Sequence, residues 1–181
     1  MKARYVAMAM ILAVTPIIDA SALPISSLYL SIRVQGGICS VGAVGDEDGL
    51  NRRPYAEWTD ALGGGVSWSK ELDIPERFYE GRATHCLRER DWLFVLLQLD
   101  THSQRSMAQG VLRLVKLRVA DGFVESDTEV LVPRVGTRYS AWVEEGPSNL
   151  RVEEGRIVVG GKYRHLDTDE EGTSFSVMLE M

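Results

Sequence analysis

Residue types that ligate metals or act as nucleophiles are scarce in this sequence. Its 181 residues include two cysteines, Cys39 and Cys86, and three histidines, His85, His102 and His165. A zinc site needs three or four placed ligands. The adjacent residues His85 and Cys86 would point to opposite faces of a strand, so we do not expect them to share a metal ion. The sequence therefore predicts no cofactor and no zinc site.

The sequence also lacks dense basic blocks and, beyond the N-terminal apolar run over 5–14, a second long apolar run. The chain carries 20 lysines and arginines against 26 acidic residues, which gives a formal net charge of −6. Phosphate contacts dominate nucleic-acid affinity, so this acidic chain predicts no nucleic-acid partner. The apolar stretch from Trp92 to Leu97 has the length of a strand, and Asp91 and Asp100 flank it. It is typical of a core strand rather than a membrane span.

The first 22 residues have the order of a secretory signal peptide. Two basic residues precede an apolar run over 5–14, Pro16 follows, and the stretch Ala20-Ser21-Ala22 offers a small-residue cleavage site. The alternative is an uncleaved N-terminal anchor, but the run is shorter than the about 20 residues that a span needs. We therefore predict a signal peptide over 1–22. The mature domain, 23–181, would be periplasmic or extracellular, with no membrane insertion after cleavage.

Export would place Cys39 and Cys86 in an oxidising compartment. A lone pair of cysteines usually forms a disulfide there, so we predict a Cys39–Cys86 bond. Free thiols or an intermolecular bond are the alternatives. In the chain-entropy model, closing a loop of this size stabilises the fold by about 4 kcal/mol.

Most of the chain after residue 23 has strand periodicity. Apolar and polar residues alternate from Leu28 to Val34, and the pair Asp121-Gly122 between apolar runs is a strong hairpin signal. Further strands are predicted over 38–44, 82–87, 92–99, 111–119, 129–132, 138–143, 150–152, 156–159, 162–166 and 173–179. The pattern predicts one mostly β domain, an antiparallel β-sandwich or barrel.

One or two short helices are predicted in the 45–81 region. Pro54 suits a first helical position and Gly63 a helix end, which favours a helix from Pro54 to Leu62. The stretch Asp73-Ile74-Pro75-Glu76 is typical of a cap followed by one helical turn, ending by Gly81.

A cysteine hydrolase is one alternative function. In such enzymes a glutamine donates to an oxyanion and a histidine activates the thiol, and here Gln35 precedes Cys39. The spacing does not match the papain-type motif, and a disulfide would remove the nucleophile. A secreted hydrolase with an unmarked serine–histidine pair is the related alternative. We assign no catalytic residue.

Two other ligand hypotheses rest on short patterns. Trp58 and Trp68 flank a triple glycine and could stack on sugar rings, as in a carbohydrate-binding module, although such residues are more often core. Asp167, Asp169 and Glu171 occupy alternate positions before Gly172, as in the opening of a calcium loop. The twelfth position is Met178 rather than glutamate, so a standard calcium loop is excluded and only a weak site is left.

The leading functional hypothesis is an exported, non-enzymatic binding or accessory module that acts on a protein partner. β scaffolds commonly present binding loops, and the stretch from Gly45 to Gly81 is long and punctuated by glycine and proline. An exposed edge strand is the other surface through which such a module would act.

Overall fold

A computed structural model describes residues 25–46, 48–101, 109–168 and 171–181 of the chain. The predicted signal peptide, over 1–22, lies outside these residues. The structure is mostly β, as the sequence predicts. Its twelve strands are β1 (Ile25–Val34), β2 (Gly37–Val44), β3 (Arg53–Asp60), β4 (Val66–Glu71), β5 (Phe78–Glu89), β6 (Trp92–Thr101), β7 (Gly110–Arg118), β8 (Val124–Val130), β9 (Tyr139–Trp142), β10 (Leu150–Glu153), β11 (Arg156–His165) and β12 (Thr173–Leu179).

The strands form three antiparallel four-stranded sheets. Sheet A has the order β1-β2-β3-β4, and sheet B has the order β5-β6-β7-β8. Sheet C has the order β10-β11-β12, with β9 also paired to β11, beyond the end of β10. The sheets pack together as in a sandwich and do not close into a barrel, because each keeps its own edge strands. Of the two predicted architectures, the sandwich is the one observed.

Sheet B is the middle layer, and its strand β6 is buried on both faces. Successive side chains of a strand point to opposite faces. Leu93, Val95 and Leu97 accordingly pack in a core with sheet A, whereas Phe94 and Leu96 pack in a second core with sheet C. The apolar run of β6 is unbroken because the strand lies between two layers and is buried on both faces.

The interface between sheets A and B, the A–B interface, contains the disulfide. Cys39 of β2 is bonded to Cys86 of β5, with their Cα atoms 6.4 Å apart. Both are buried beside Val41, Trp58 and other apolar side chains. The predicted pairing is confirmed, and it links two layers covalently.

The interface between sheets B and C, the B–C interface, combines apolar packing with polar contacts. Ile157 and Val159 of β11 pack against sheet B in the second core. The backbone N–H of Gly110 donates to Ser140 Oγ at 2.9 Å, which joins β7 to β9. No disulfide crosses this interface within the described residues.

The predicted helix from Pro54 to Leu62 is wrong, because this stretch forms β3. Tyr55, Ala56 and Trp58 are all buried, and pairing with both β2 and β4 fixes the extended backbone. Proline is tolerated near the start of a strand. The glycines after it form the β3–β4 turn, with Gly64 at φ 65°.

The predicted helical turn from Asp73 to Gly81 is also wrong. A hydrogen bond of 2.9 Å from Phe78 N to Pro75 O closes a tight turn, and β5 begins directly at Phe78. Leu72 and Phe78 are buried on either side of that turn, so the chain re-enters the core instead of completing a helix. The short 3₁₀ helix from Pro147 to Asn149 is the one helical element of the described residues.

Strand boundaries also differ from the prediction, and the strand predicted over 129–132 lies mostly earlier, in β8 (Val124–Val130). Residues 156–159 and 162–166 were expected to be separate strands, but both belong to β11. The first half of β11 pairs with β10 and the second half with β9, so Gly160-Gly161 continues the strand.

No helix in the described part of the chain is long and apolar enough to cross a membrane.

Candidate functional site

A groove of about 320 Å³ lies at the outer edge of β5, and all three sheets contribute to it. We call it the β5 groove. Its walls come from β1, from β5 and from the link between β9 and β10. The lining residues are Tyr29, Leu30, Arg82, Thr84, His85, Val143, Glu144, Glu145, Gly146 and Pro147.

A bulge in β5 directs His85 into this groove. The pairing of β5 with β6 shifts between Ala83 and His85, so Thr84 is an extra residue. Bulges re-aim side chains. Ala83 and Cys86 consequently both face the A–B interface, while His85 faces the link from sheet C. His85 and Cys86 thus point to opposite faces, as predicted.

His85 connects the bulge to the opposite wall of the groove. Its side chain is buried, and Nε2 lies 2.9 Å from the carbonyl oxygen of Gly146. A carbonyl only accepts, so Nε2 carries the proton and donates. The other ring nitrogen, Nδ1, lies 3.0 Å from Thr84 Oγ1, which also lies 3.2 Å from the Leu96 carbonyl. Burial lowers the pKa of His85, and its bond to Gly146 opposes that shift only in part.

The groove carries charges of both signs. The Arg82 guanidinium lies 5.3 Å from the centre of the Tyr29 ring, and its buried Nε has no hydrogen-bond partner among the described residues. Glu144 pairs with Lys162 at 2.6 Å and is thereby neutralised. Glu145 is exposed at the rim. The groove therefore offers one cation and one anion beside apolar walls.

A second group of charges continues from the groove along β5 and β6. Arg52 binds both carboxylate oxygens of Glu80, and this pairing lowers the pKa of Glu80. Burial raises the pKa of Asp100, and the nearby Arg82 and Arg52 counteract part of that shift. Arg82 thus lies between the groove and two acidic residues, Glu80 and Asp100.

The predicted disulfide residues lie away from the groove, in the A–B core. Cys39 is 0% exposed and bonded to Cys86, so it holds no thiolate in this structure. The structure therefore gives no support to a cysteine hydrolase. The hydroxyl beside His85 belongs to Thr84, and Nε2 of the ring donates to a backbone carbonyl instead of to a carboxylate. A catalytic triad would place an acid at that position.

The two tryptophans proposed for sugar stacking face the A–B core. Trp58 is 2% exposed, and Arg88 covers its ring at 5.2 Å. Trp68, its cross-strand neighbour on β4, is half-buried and donates from Nε1 to the Val119 carbonyl at 2.8 Å. Trp58 therefore has no open ring face for a sugar, and the Nε1 group of Trp68 is already bonded to the protein.

The remaining candidate ligands are dispersed. His165 is exposed at the end of β11, and His102 lies outside the described residues. Of the calcium candidates, Asp167 accepts a hydrogen bond of 2.9 Å from Arg138, Glu171 is exposed, and Asp169 lies outside the described residues. In the described ranges no three potential metal ligands come together.

Sequence reasoning did not identify the groove. Its residues come from three regions of the chain far apart in sequence, and the bulge at Thr84 contains no glycine that would mark it. The one available signal was His85 itself, a titratable residue next to Cys86 within a predicted strand. Comparison with known proteins adds no further evidence. No protein-family model matches the sequence, and no solved structure matches this fold.

Proposed function

We propose that this protein is an exported, non-enzymatic binding or accessory module that acts on a protein partner in the periplasm or outside the cell. The observation that carries the proposal is the mixed lining of the β5 groove. Apolar, cationic and anionic groups line one groove of about 320 Å³, a size within the usual range of ligand sites. A polypeptide offers all three complementary side-chain types within a few residues. The signal-peptide pattern and the disulfide support export.

Exposed apolar side chains extend this surface along β1. Leu28 is 56% exposed and Tyr29 is 40% exposed. Both lie on an edge strand of sheet A, and Tyr29 also forms one wall of the groove. Aromatic side chains are enriched at protein interfaces, where they supply contact area at low entropic cost. The exposed side chains of β1 and the groove together form a surface that suits a segment of a partner protein.

Arg82 selects for an acidic side chain on that segment. Within the described residues its guanidinium stacks on Tyr29 and forms no salt bridge. Arginine binds a carboxylate through two parallel hydrogen bonds, which gives both affinity and orientation. Lys162 pairs with Glu144 and Arg52 pairs with Glu80. The carboxylates near Arg82 that oppose an incoming acid are therefore Glu145 and Asp100.

Site-specific photo-crosslinking in the source cells tests the proposal. A photoreactive residue replaces Tyr29, and the matched control replaces Leu62, which is 98% exposed at the β3–β4 turn. We expect one protein to crosslink at position 29 and not at position 62. The purified partner should then bind the Arg82→Gln variant about tenfold more weakly, as for a contact at the centre of an interface.

Two results would contradict the proposal. The first is equal crosslinking at both positions, or none at position 29. The second is unchanged affinity of the Arg82→Gln variant. Thermal unfolding of this variant serves as the control for a folding defect.

A further inference from the structure

The outer edge of β12 differs from every other sheet edge in the described structure. Edge strands expose unpaired N–H and C=O groups, and proteins protect them with charges, bulges, prolines or short length. β12 has seven residues, Thr-Ser-Phe-Ser-Val-Met-Leu, with no charge and no proline. Its pairing with β11 runs from Tyr163↔Thr173 to Ile157↔Leu179 without a register shift. It is therefore a regular, neutral strand with one unpaired side.

The other edges all show protection. β1 pairs with β2 through two register shifts, and β5 pairs with β6 through two more. β4 ends in Lys70 and Glu71, and β8 carries Glu125, Asp127 and Glu129. β9 and β10 have only four residues each. The absence of any such device from β12 marks it as an edge that can pair with another strand.

We propose that two copies of this chain associate through their β12 strands, which pair antiparallel about a two-fold axis at Ser176. This assembly goes beyond the proposed function and uses a different surface. The chain has a net charge of −6, so copies repel one another in general. The residues of β12 carry no charge, so pairing along this strand places no like charges directly opposite each other.

The sequence of β12 is complementary to itself in this register. With Ser176 opposite Ser176, Phe175 lies opposite Val177 and Ser174 lies opposite Met178. An aromatic residue opposite a β-branched one is a favourable cross-strand pair. Phe175 and Val177 are half-buried against sheet B, whereas Ser174, Ser176 and Met178 are exposed. The two copies would thus continue both faces of sheet C.

A groove next to the end of β12 gives room for the second strand. It has a volume of about 460 Å³ and lies between Leu179 and Met181 on one side and Phe94, Leu114 and Lys116 of sheet B on the other. In the antiparallel register Leu179 lies opposite Thr173 of the second copy, so the start of that strand would enter this groove. Pairing would join the two C sheets into one continuous sheet, a closed two-fold arrangement.

Sedimentation equilibrium over a range of protein concentrations tests the proposal. We expect the purified protein to show a monomer–dimer equilibrium. The Ser176→Lys and Ser176→Glu variants each place two like charges directly opposite on the axis, and each should weaken the dimer by about fivefold or more. An equimolar mixture of the two variants should restore association, because lysine then faces glutamate. Ser148→Lys adds the same positive charge at another exposed position and should leave the monomer–dimer equilibrium unchanged.

Three outcomes would overturn the proposal. They are a monomer at every concentration, a dimer that Ser176→Lys does not weaken, and a mixture of the two variants that associates no better than either alone. Since Ser176 is exposed, its substitution should leave the far-ultraviolet circular dichroism and the melting curve unchanged, and this measurement excludes misfolding. Crosslinking at Tyr29 reports on the β5 groove, which shares no lining residue with β12, so the two proposals succeed or fail separately.

Discussion

The A–B and B–C interfaces share sheet B yet are held together differently. A disulfide and a dense set of fully buried side chains join sheets A and B. Sheets B and C share a second apolar core and polar contacts such as that of Gly110 with Ser140, without a disulfide in the described residues. Polar contacts also cross the A–B interface, for example from Trp68 to Val119. The β5 groove lies where all three sheets meet, between strand β1 of sheet A and the link from β9 to β10. The comparison indicates that the covalent link is what distinguishes the two interfaces.

Removal of the disulfide should have the largest effect. In the variant Cys39→Ala/Cys86→Ala, no bond closes the loop between these two positions, which are 47 residues apart. The unfolded chain therefore gains conformational entropy. The chain-entropy model predicts a loss of about 4 kcal/mol in the free energy of unfolding. Chemical denaturation checks this value. A loss below about 1 kcal/mol would show that the A–B interface does not depend on its covalent link.

Two neighbouring leucines of β6 allow a matched test of the two cores. Leu96 and Leu97 are both 0% exposed, but they face the B–C and A–B cores respectively. Leu96→Ala and Leu97→Ala should each cost about 3 kcal/mol of stability, because each leaves a cavity. We expect only Leu96→Ala to alter the titration of His85 in NMR spectra, since Leu96 is the cross-strand partner of His85. Equal changes from both variants would mean that the cores are not separate.

Acidification should weaken the B–C interface by a smaller amount. Burial lowers the pKa of His85 below its ordinary value of 6.5, so the unfolded chain takes up the proton more readily than the folded one. The stability due to His85 is thus fully present above pH 6.5 and is lost as the pH falls from there toward the folded-state pKa. Arg82, Glu144 and Glu145 are the charged residues that line the groove with His85.

The variant His85→Gln isolates this contribution, since its amide can still donate to Gly146. Thermal unfolding between pH 5 and pH 7.5, a range of about two units around the ordinary histidine pKa, should show a weaker pH dependence for this variant than for the native chain. His165→Gln, at an exposed histidine, is the matched control and should behave like the native chain. If the two variants respond alike, His85 is not the group responsible.

The alternation of apolar and polar residues predicted the strands well because it reflects which face of each strand is buried. Leu30, Ile32 and Val34 alternate with polar residues since β1 lies at the edge of sheet A with one face against the core. Leu28 precedes a register shift in β1 and is exposed. The run from Trp92 to Leu97 predicted a core strand, but it does not say that two different sheets cover its faces. That information lies in pairings between distant segments, such as β9 with the second half of β11.

The wrong helices and the missed groove have related causes. Pro54 and Gly63 are local signals, and burial of Tyr55 and Trp58 between two neighbouring strands overrode them. The groove depends on a bulge at Thr84 and on a link from sheet C, neither of which has a local signature. The disulfide was predictable because only one pairing of two cysteines exists.

Native-state hydrogen exchange, resolved by residue, tests the difference between the two interfaces most directly. We expect the amides of β2, β5 and β6 to exchange only through global unfolding, while those of β9, β10 and β11 exchange through a partial opening that leaves sheets A and B intact. The opening free energy of sheet C should therefore be the lower of the two. Identical values for both groups, or an earlier opening of sheet A, would contradict the division into an interface that the disulfide fixes and one without a covalent link.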